Sequence, residues 1–204
     1  MPFSEFFRCY PLTQLRSRER SEEVNNGGKI ILPPSALAKL ASLRIEYPML
    51  FRLEHEGKQT HLGVLEFIAE EGRAYLPQWA MTQLDIEQGD IVQLHSTTLP
   101  LGRFLKIQPQ STDFLDIHDP KAVLENALRH YSALTEGDII SIGYNSKIFR
   151  LLCMEIKPKV TSGGISIVET DLEVDFAPPV GYQEPSAARP RVSSMTGKVR
   201  LKTD

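Results

Sequence analysis

The 204-residue chain is poor in cysteine, in net charge and in long apolar runs, and each shortage excludes a class of protein. Its two cysteines, Cys9 and Cys153, lie too far apart for a metal-binding motif and are too few for a disulfide framework, which favours a reducing compartment. The formal net charge is −3, from 23 basic and 26 acidic residues. The chain therefore has no overall field that would attract nucleic acid or an anionic membrane.

The chain also lacks the segments that direct proteins into or across membranes. No apolar run approaches the roughly 20 residues that a transmembrane helix needs. The stretch from Met1 to Arg8 has neither a basic start nor a long apolar centre, so it is not a signal peptide. These absences predict no membrane insertion and a cytosolic or nuclear protein.

A nine-residue segment that occurs twice is the most informative feature that the sequence does contain. In Leu32–Leu40 and Leu76–Leu84, which lie 44 positions apart, Leu-Pro is followed by Ala, an apolar residue and Leu. Alternating apolar residues follow each copy, from Ile45 and from Ile86. Each copy predicts a strand, a short helix opened by proline, a turn and a second strand. Because neither unit can bury its own apolar face, the two must pack together as a duplicated half-barrel.

Shifts in composition divide the chain into four parts. Residues 1–28 predict an N-terminal strand and a polar loop, and residues 29–112 predict the barrel, with Phe104–Ile107 as its last strand. Residues 113–182 predict a second subdomain with a separate core, formed by one helix on a small antiparallel sheet. Residues 183–204 are rich in Pro, Ser, Ala and Arg and predict a disordered tail.

Two local signals support the second subdomain. Asp119 and Pro120 are typical of the cap and first position of a helix, and apolar residues follow them at helical spacing. Asn145 and Ser146 separate two apolar runs and predict a hairpin turn.

Two Gly-Asp pairs, Gly89-Asp90 and Gly137-Asp138, each precede a run of alternating apolar residues. Their aspartates could serve as acids or ligands. Glycine can adopt positive φ and aspartate can hydrogen-bond the backbone of a turn, so the pairs also fit turns that enter a strand. The repetition at equivalent places favours the structural role for all four residues.

No combination of residues predicts a catalytic, metal or cofactor site. The five histidines form no metal-ligand pattern, and His55 and His61, which flank a polar turn, are expected to be solvated. Cys9 would need a neighbouring histidine to act as a nucleophile and is interpreted as a small apolar residue of an edge strand. Two carboxylate clusters are interpreted as a solvated turn and a loop cap: Glu70-Glu71 and Asp113 with Asp116.

Longer stretches of the sequence resemble a known family. They are Phe6–Tyr10, Gly27–Leu37, Tyr47–Phe51, Gly63–Phe67, Tyr75–Trp79, Pro109–Ser111, Asp113–Asp116, Pro120–Asn126 and Asp175–Tyr182. With them the chain resembles the amino-terminal domain of the ubiquitin fusion degradation protein 1 family, in its fungal-type version, over about residues 5 to 182.

This resemblance implies a fold and a function. The fold is mainly β with α: a double-psi β-barrel followed by a smaller α/β roll. The function is that of a non-catalytic adaptor without cofactors, which binds ubiquitin and polyubiquitin through residues that remain unknown. The implied partners are the nuclear protein localisation 4 subunit and a hexameric AAA ATPase, in the cytoplasm and nucleus and at the endoplasmic reticulum membrane.

The resemblance leaves two alternatives open. The family's segments for binding the ATPase and the partner subunit are not found in residues 183–204, so the chain is expected to be part of a longer protein. It could instead be a structural or peptide-binding module that docks within the ATPase complex without contacting ubiquitin. A double-psi barrel can also support catalysis, but the sequence shows no acid–base constellation for it.

Overall fold

The computed structural model describes residues 2–15, 24–183 and 196–201. The β-strands and α-helices, numbered here in chain order, are β1 (Ser4–Pro11), β2 (Lys29–Ile31), α1 (Pro34–Ser42), β3 (Leu50–His55), β4 (Lys58–Glu66), β5 (Arg73–Leu76), α2 (Gln78–Gln83), β6 (Ile91–Thr97), β7 (Phe104–Pro109), α3 (Pro120–Leu128), β8 (Ala133–Thr135), β9 (Ile139–Tyr144), β10 (Lys147–Lys157), β11 (Gly164–Ser166), β12 (Asp171–Phe176) and β13 (Thr196–Arg200). Short 3₁₀ helices occupy Leu12–Gln14 and Thr112–Asp116.

Six strands close into a barrel in the order β1-β5-β2-β4-β3-β6. Two neighbouring pairs are parallel, β1 with β5 and β2 with β4, and the remaining pairs are antiparallel. A second sheet has the order β13-β12-β7-β10-β9, and β11 pairs with β8. The predicted α+β class, a β-barrel followed by a smaller subdomain with a helix, is confirmed.

The duplicated segment forms equivalent helices, as predicted. Pro33 caps α1 and Pro77 caps α2, where a residue without a backbone N–H leaves no donor unsatisfied. Each helix is followed by a residue in the left-handed region, Arg44 at φ 56° and Asp85 at φ 51°. Such a residue ends a helix because its left-handed conformation turns the chain, so that a backbone N–H can donate a hydrogen bond to a free carbonyl of the last helical turn.

The second sheet is mixed and not purely antiparallel, because β12 runs parallel to β7. Helix α3 begins as predicted: Pro120 is in its first turn and the Asp119 carboxylate accepts a hydrogen bond from the N–H of Ala122 at 3.0 Å. The predicted hairpin also forms. Asn145 and Ser146 have φ of 49° and 59° and join β9 to β10, the geometry that suits a two-residue hairpin turn.

Two predicted boundaries are wrong. Phe104–Ile107 does not close the barrel but lies in β7, in the middle of the second sheet. The predicted disordered tail contains a strand, since β13 pairs antiparallel with β12 and Val199 is fully buried. The other residues of 184–204, apart from Leu201, lie outside the described residues.

The core is continuous between the barrel and the second subdomain, which corrects the expectation of two separate cores. One cluster of buried side chains includes Leu40 and Leu94 of the barrel together with Leu124 and Leu151 of the second subdomain. Close backbone approach makes this continuity possible. A Cβ added at Gly28 would lie 2.2 Å from a ring carbon of Tyr131, so the aromatic ring can pack directly on the barrel only because residue 28 has no side chain.

Candidate functional site

The two Gly-Asp turns have the same backbone arrangement, and each holds a buried cysteine. The N–H of Gly89 donates to the carbonyl of Cys9, and the N–H of Cys9 donates to the carbonyl of Asp90, both at 2.8 Å. Gly137, Cys153 and Asp138 repeat this pair of bonds at the same distances. The structure places Gly89 and Gly137 at φ 96° and 91°, which is the left-handed region that favours glycine.

Neither cysteine is suited to nucleophilic chemistry. Both side chains are fully buried. Burial raises the pKa of Cys9 to about 12 and raises the pKa of Cys153 even further, so both are neutral thiols near neutral pH. Cys9 belongs to a strand with neighbours on both sides in a closed barrel, so the expectation of an edge strand is wrong.

The side chains of the two turn aspartates differ although their backbones agree. Asp90 accepts a hydrogen bond from the N–H of Glu87 at 2.8 Å within its own turn. Asp138 is buried and accepts a hydrogen bond from the hydroxyl of Thr60, which lies on β4 of the barrel. Burial raises the pKa of Asp138 to about 7, and its hydrogen bonds to Thr60 and Thr135 lower it only in part. Asp138 therefore joins the two subdomains as well as shaping a turn.

His61 lies beside this aspartate and is only 1% exposed, so the expectation that it is solvated is wrong. Its Nδ1 lies 3.0 Å from the hydroxyl oxygen of Thr135, and its backbone N–H donates to the same oxygen at 3.1 Å. Burial, with a smaller contribution from Arg52, lowers the pKa of His61 to about 4. Sequence patterns missed this cluster because its members approach one another only in the folded chain.

The other sequence candidates are not brought together. In the part of the chain that the structure describes, no three His, Cys, Asp or Glu side chains are placed to hold a metal ion. Glu70 accepts a hydrogen bond from the hydroxyl of Tyr75 at 2.6 Å, and Glu71 bonds Ser35. His55 places its Nδ1 2.9 Å from the carbonyl of Leu84 at the end of α2. These contacts are structural.

Two exposed apolar side chains lie on the same outer face of the paired strands β1 and β6. Phe6 of β1 is 64% exposed and Ile91 of β6 is 55% exposed. Ile91 is paired with Arg8, two residues from Phe6 on β1, so the three side chains share one face of the paired strands. The guanidinium of Arg8 donates to the carbonyl of Gly89 at 2.6 Å. We call Phe6, Arg8 and Ile91 the barrel patch.

The barrel patch was missed in the sequence because Phe6 and Phe7 are both phenylalanine. In a strand, adjacent side chains point to opposite faces, so only one of them can enter the barrel. Phe7 is buried and packs near Phe3, with ring centroids 6.5 Å apart, whereas Phe6 points outward. The available signal in the sequence was polar Arg8 between Phe7 and Cys9, because period-two alternation places Phe6 on the outer face with Arg8.

A groove runs between the barrel and the second subdomain. It encloses about 500 Å³. On the barrel side it is lined by α2, by Asn25 and Asn26 before β2, and by Lys58 of β4, and on the other side by β9 and β10. Its basic lining residues are Lys58 and Arg150, and Ile148, which is 63% exposed, stands at its rim. We call this depression the subdomain groove.

Comparison with known proteins identifies the family. The model for "Ubiquitin fusion degradation protein UFD1, N-terminal subdomain 1" matches residues 3–100, and that for "N-terminal subdomain 2" matches residues 101–179. The chain belongs to the ubiquitin fusion degradation protein 1 family. The boundary between the two family models precedes β7, in agreement with the place of that strand in the second sheet.

Relatives match across both subdomains of the chain. It is 59% identical over 185 residues to Ubiquitin fusion degradation protein 1 of Saccharomyces cerevisiae, covering 90% of this chain and 51% of the relative. It is 51% identical over 185 residues to Ubiquitin recognition factor in ER-associated degradation protein 1 of Homo sapiens, covering 90% and 59%. The chain thus spans somewhat more than half the length of these relatives. No helix in the described ranges is long and apolar enough to cross a membrane.

Proposed function

We propose that this chain is a non-catalytic adaptor domain that binds ubiquitin and polyubiquitin in protein degradation. The observation that carries the proposal is the 51% identity, over both subdomains, to a human protein named as a ubiquitin recognition factor in ER-associated degradation. The inert thiols and the structural roles of the carboxylates and histidines support a binding role.

The barrel patch is the surface that we propose contacts ubiquitin. Neighbouring exposed apolar side chains beside an arginine are typical of the central residues of protein interfaces. Phe6, Arg8 and Ile91 stand on paired strands of a closed barrel, so their backbone is already ordered before a partner binds. With so small an apolar area, we expect a Kd for single ubiquitin on the order of 10⁻⁴ M, which corresponds to a binding free energy of about −5.5 kcal/mol.

We further propose the wider partnership for the longer protein of which this chain resembles a part. With the nuclear protein localisation 4 subunit, it would recruit ubiquitinated substrates to a hexameric AAA ATPase for unfolding and proteasomal degradation. It would act in the cytoplasm and nucleus, with peripheral recruitment to the endoplasmic reticulum. The family membership supports these assignments.

A titration of the ¹⁵N-labelled chain with ubiquitin, followed by NMR, tests the binding role. We expect fast-exchanging shift changes centred on β1 and β6, and tighter binding of ubiquitin chains, because a second contact becomes intramolecular. Phe6→Ala and Ile91→Ala should each weaken binding at least about threefold, an effect near 0.7 kcal/mol. Ile148→Ala, which truncates an equally exposed apolar residue of the second subdomain, is the matched control and should bind normally.

The second candidate function is a structural or peptide-binding module that docks within the ATPase complex without contacting ubiquitin. The subdomain groove is the observation that favours it, because the groove offers two basic side chains and polar amides to an extended peptide. If neither ubiquitin nor its chains changed any resonance at millimolar concentration, ubiquitin binding would be rejected for this chain. Shift changes centred on Ile148 instead of Phe6 would keep the function but reject the barrel patch.

A further inference from the structure

A chain of buried hydrogen bonds crosses between the two subdomains. Thr60 and His61 lie on β4 of the barrel, whereas Thr135 and Asp138 belong to the second subdomain. The Asp138 carboxyl group accepts a hydrogen bond from the Thr60 hydroxyl and is also hydrogen-bonded to the side chain of Thr135. The oxygen of Thr135 in turn lies 3.0 Å from Nδ1 of His61. Two titratable side chains are therefore joined through one hydroxyl group that has a single proton to donate.

With Asp138 ionised, the positions of the protons are fully determined. A carboxylate only accepts hydrogen bonds, so the hydroxyl of Thr135 must donate to Asp138. The Thr135 oxygen then has to accept from His61 Nδ1, which requires the tautomer with the proton on Nδ1. Nε2 is left as a bare acceptor; among the described residues it has no hydrogen-bond partner.

With Asp138 protonated, that requirement disappears. The carboxylic acid can donate its own proton to the oxygen of Thr135, which frees the Thr135 hydroxyl to donate to Nδ1 of His61. Such an arrangement needs the other tautomer of His61, with its proton on Nε2. The ring stays neutral in both states, and the change passes through Thr135 alone.

We propose that Asp138, Thr135 and His61 form a proton-coupled switch at the contact between the subdomains, in which ionisation of Asp138 selects the Nδ1–H tautomer of His61. The proposal is independent of ubiquitin binding. It makes the hydrogen bonds that join the barrel to the second subdomain respond to proton concentration.

The surroundings of the switch favour neutral forms. Cys153 of β10 and Tyr131 face Asp138, and burial raises the pKa of each, so neither is charged near neutral pH. Arg52 of β3 is paired with His61 across the sheet, and its charge opposes protonation of the ring. On the side of β11, a Cβ added at Gly164 would lie 2.6 Å from Nδ1, so the ring is held close to the backbone and cannot turn freely.

Long-range ¹H–¹⁵N spectra of the histidine side chains, recorded between about pH 5 and about pH 8.5, test the switch. The pattern of the two ring nitrogens distinguishes the two neutral tautomers from each other and from the imidazolium ion. We expect His61 to be the Nδ1–H tautomer at the alkaline end. We expect it to shift towards the Nε2–H tautomer with the same midpoint as the ¹³C signal of the Asp138 carboxyl group, near pH 7.

Substitutions separate this coupling from general structural effects. Asp138→Asn should abolish the pH dependence of the His61 tautomer, whereas Thr135→Ser, which keeps the hydroxyl, should retain it. Asp90→Asn changes the equivalent aspartate of the other Gly-Asp turn, so it is the matched control and should behave like the parent chain. A single unchanging tautomer in the parent chain while Asp138 titrates would overturn the proposal, as would an ordinary imidazolium titration of His61. Both of these outcomes are measured on the parent chain, so they do not depend on whether a variant folds.

Discussion

At the scale of single residues, Asp138 and His61 contribute to stability with opposite dependence on pH. Burial raises the pKa of Asp138 from 3.8 to about 7, so between these values the folded state binds more protons and loses stability as pH rises. Burial lowers the pKa of His61 from 6.5 to about 4, so in that window the unfolded state binds more protons and stability rises with pH. The two contributions largely cancel between about pH 4 and 6.5.

Asp138→Asn should therefore expose the uncompensated contribution of His61. Between about pH 6.5 and about pH 4.5, the variant should lose about 2 kcal/mol more of its free energy of unfolding than the parent chain does. Urea unfolding at the two pH values measures this difference. The other carboxylates are the same in both proteins, so their contribution to the pH dependence cancels when the variant is compared with the parent chain. Asp90→Asn should follow the parent chain, and parallel pH profiles for Asp138→Asn and the parent would contradict the assignment.

The sequence predicted both Gly-Asp turns but could not separate the two aspartates. Within each turn the local sequence and the backbone bonds are alike. What differs is that Thr60, 78 residues before Asp138 in the sequence, is folded against one of them. Burial that depends on so distant a residue leaves no local pattern in the sequence. The burial of His61 could not be predicted for the same reason.

At the scale of elements, the two copies of the duplicated segment are equivalent at their starts and shifted at their ends. Helix α1 has 9 residues and α2 has 6, so the second helix is about one turn shorter. After α1, the backbone N–H of Ile45 donates a hydrogen bond to the carbonyl of Leu40. After α2, the N–H of Ile86 donates to the carbonyl of Met81. Leu40 and Leu84 match in the sequence pattern, yet only Leu40 lies inside its helix.

Despite this shift, both leucines are fully buried, and truncating either should be costly. We expect Leu40→Ala and Leu84→Ala each to lower the free energy of unfolding by roughly 2–5 kcal/mol, through lost apolar burial and the cavity that remains. Leu37→Ala is the matched control on α1, since Leu37 is 41% exposed and its loss should cost less than about 1 kcal/mol. Chemical denaturation measures all three. A small effect at Leu84 alone would show that the shorter helix lets the site collapse.

Elements with strong local signals were predicted, and elements defined by their partners were not. Proline at the helix starts and Asn145-Ser146 at the hairpin act on their own backbone, so they can be read from the sequence. Phe104–Ile107 has the same alternation in either sheet, and only its pairing with β10 and β12 assigns it to the second one. Strand β13 follows a polar stretch and is held by β12, so the composition around it predicted disorder.

At the scale of the whole molecule, the barrel and the second subdomain should unfold as one unit. Their buried side chains belong to one continuous core, and an interface of that kind couples the two parts energetically. Trp79, the single tryptophan, lies at this interface. Its indole N–H donates to the carbonyl of Gly27 at 2.7 Å, and its ring centroid is 5.9 Å from that of Tyr131. Its fluorescence therefore reports the contact between the subdomains.

We expect tryptophan fluorescence and far-ultraviolet circular dichroism to give the same denaturation midpoint, because loss of either subdomain removes the surface on which the other is packed. Leu124→Ala in α3 and Leu84→Ala beside α2 provide matched changes, one on each side of the interface, and both residues are fully buried. Each variant should shift both signals equally, since destabilising one part of a cooperative unit destabilises the whole. If Leu124→Ala shifted only part of the circular dichroism change and left the Trp79 transition in place, the subdomains would be independent. The continuous core would then be a packing contact without cooperative consequence.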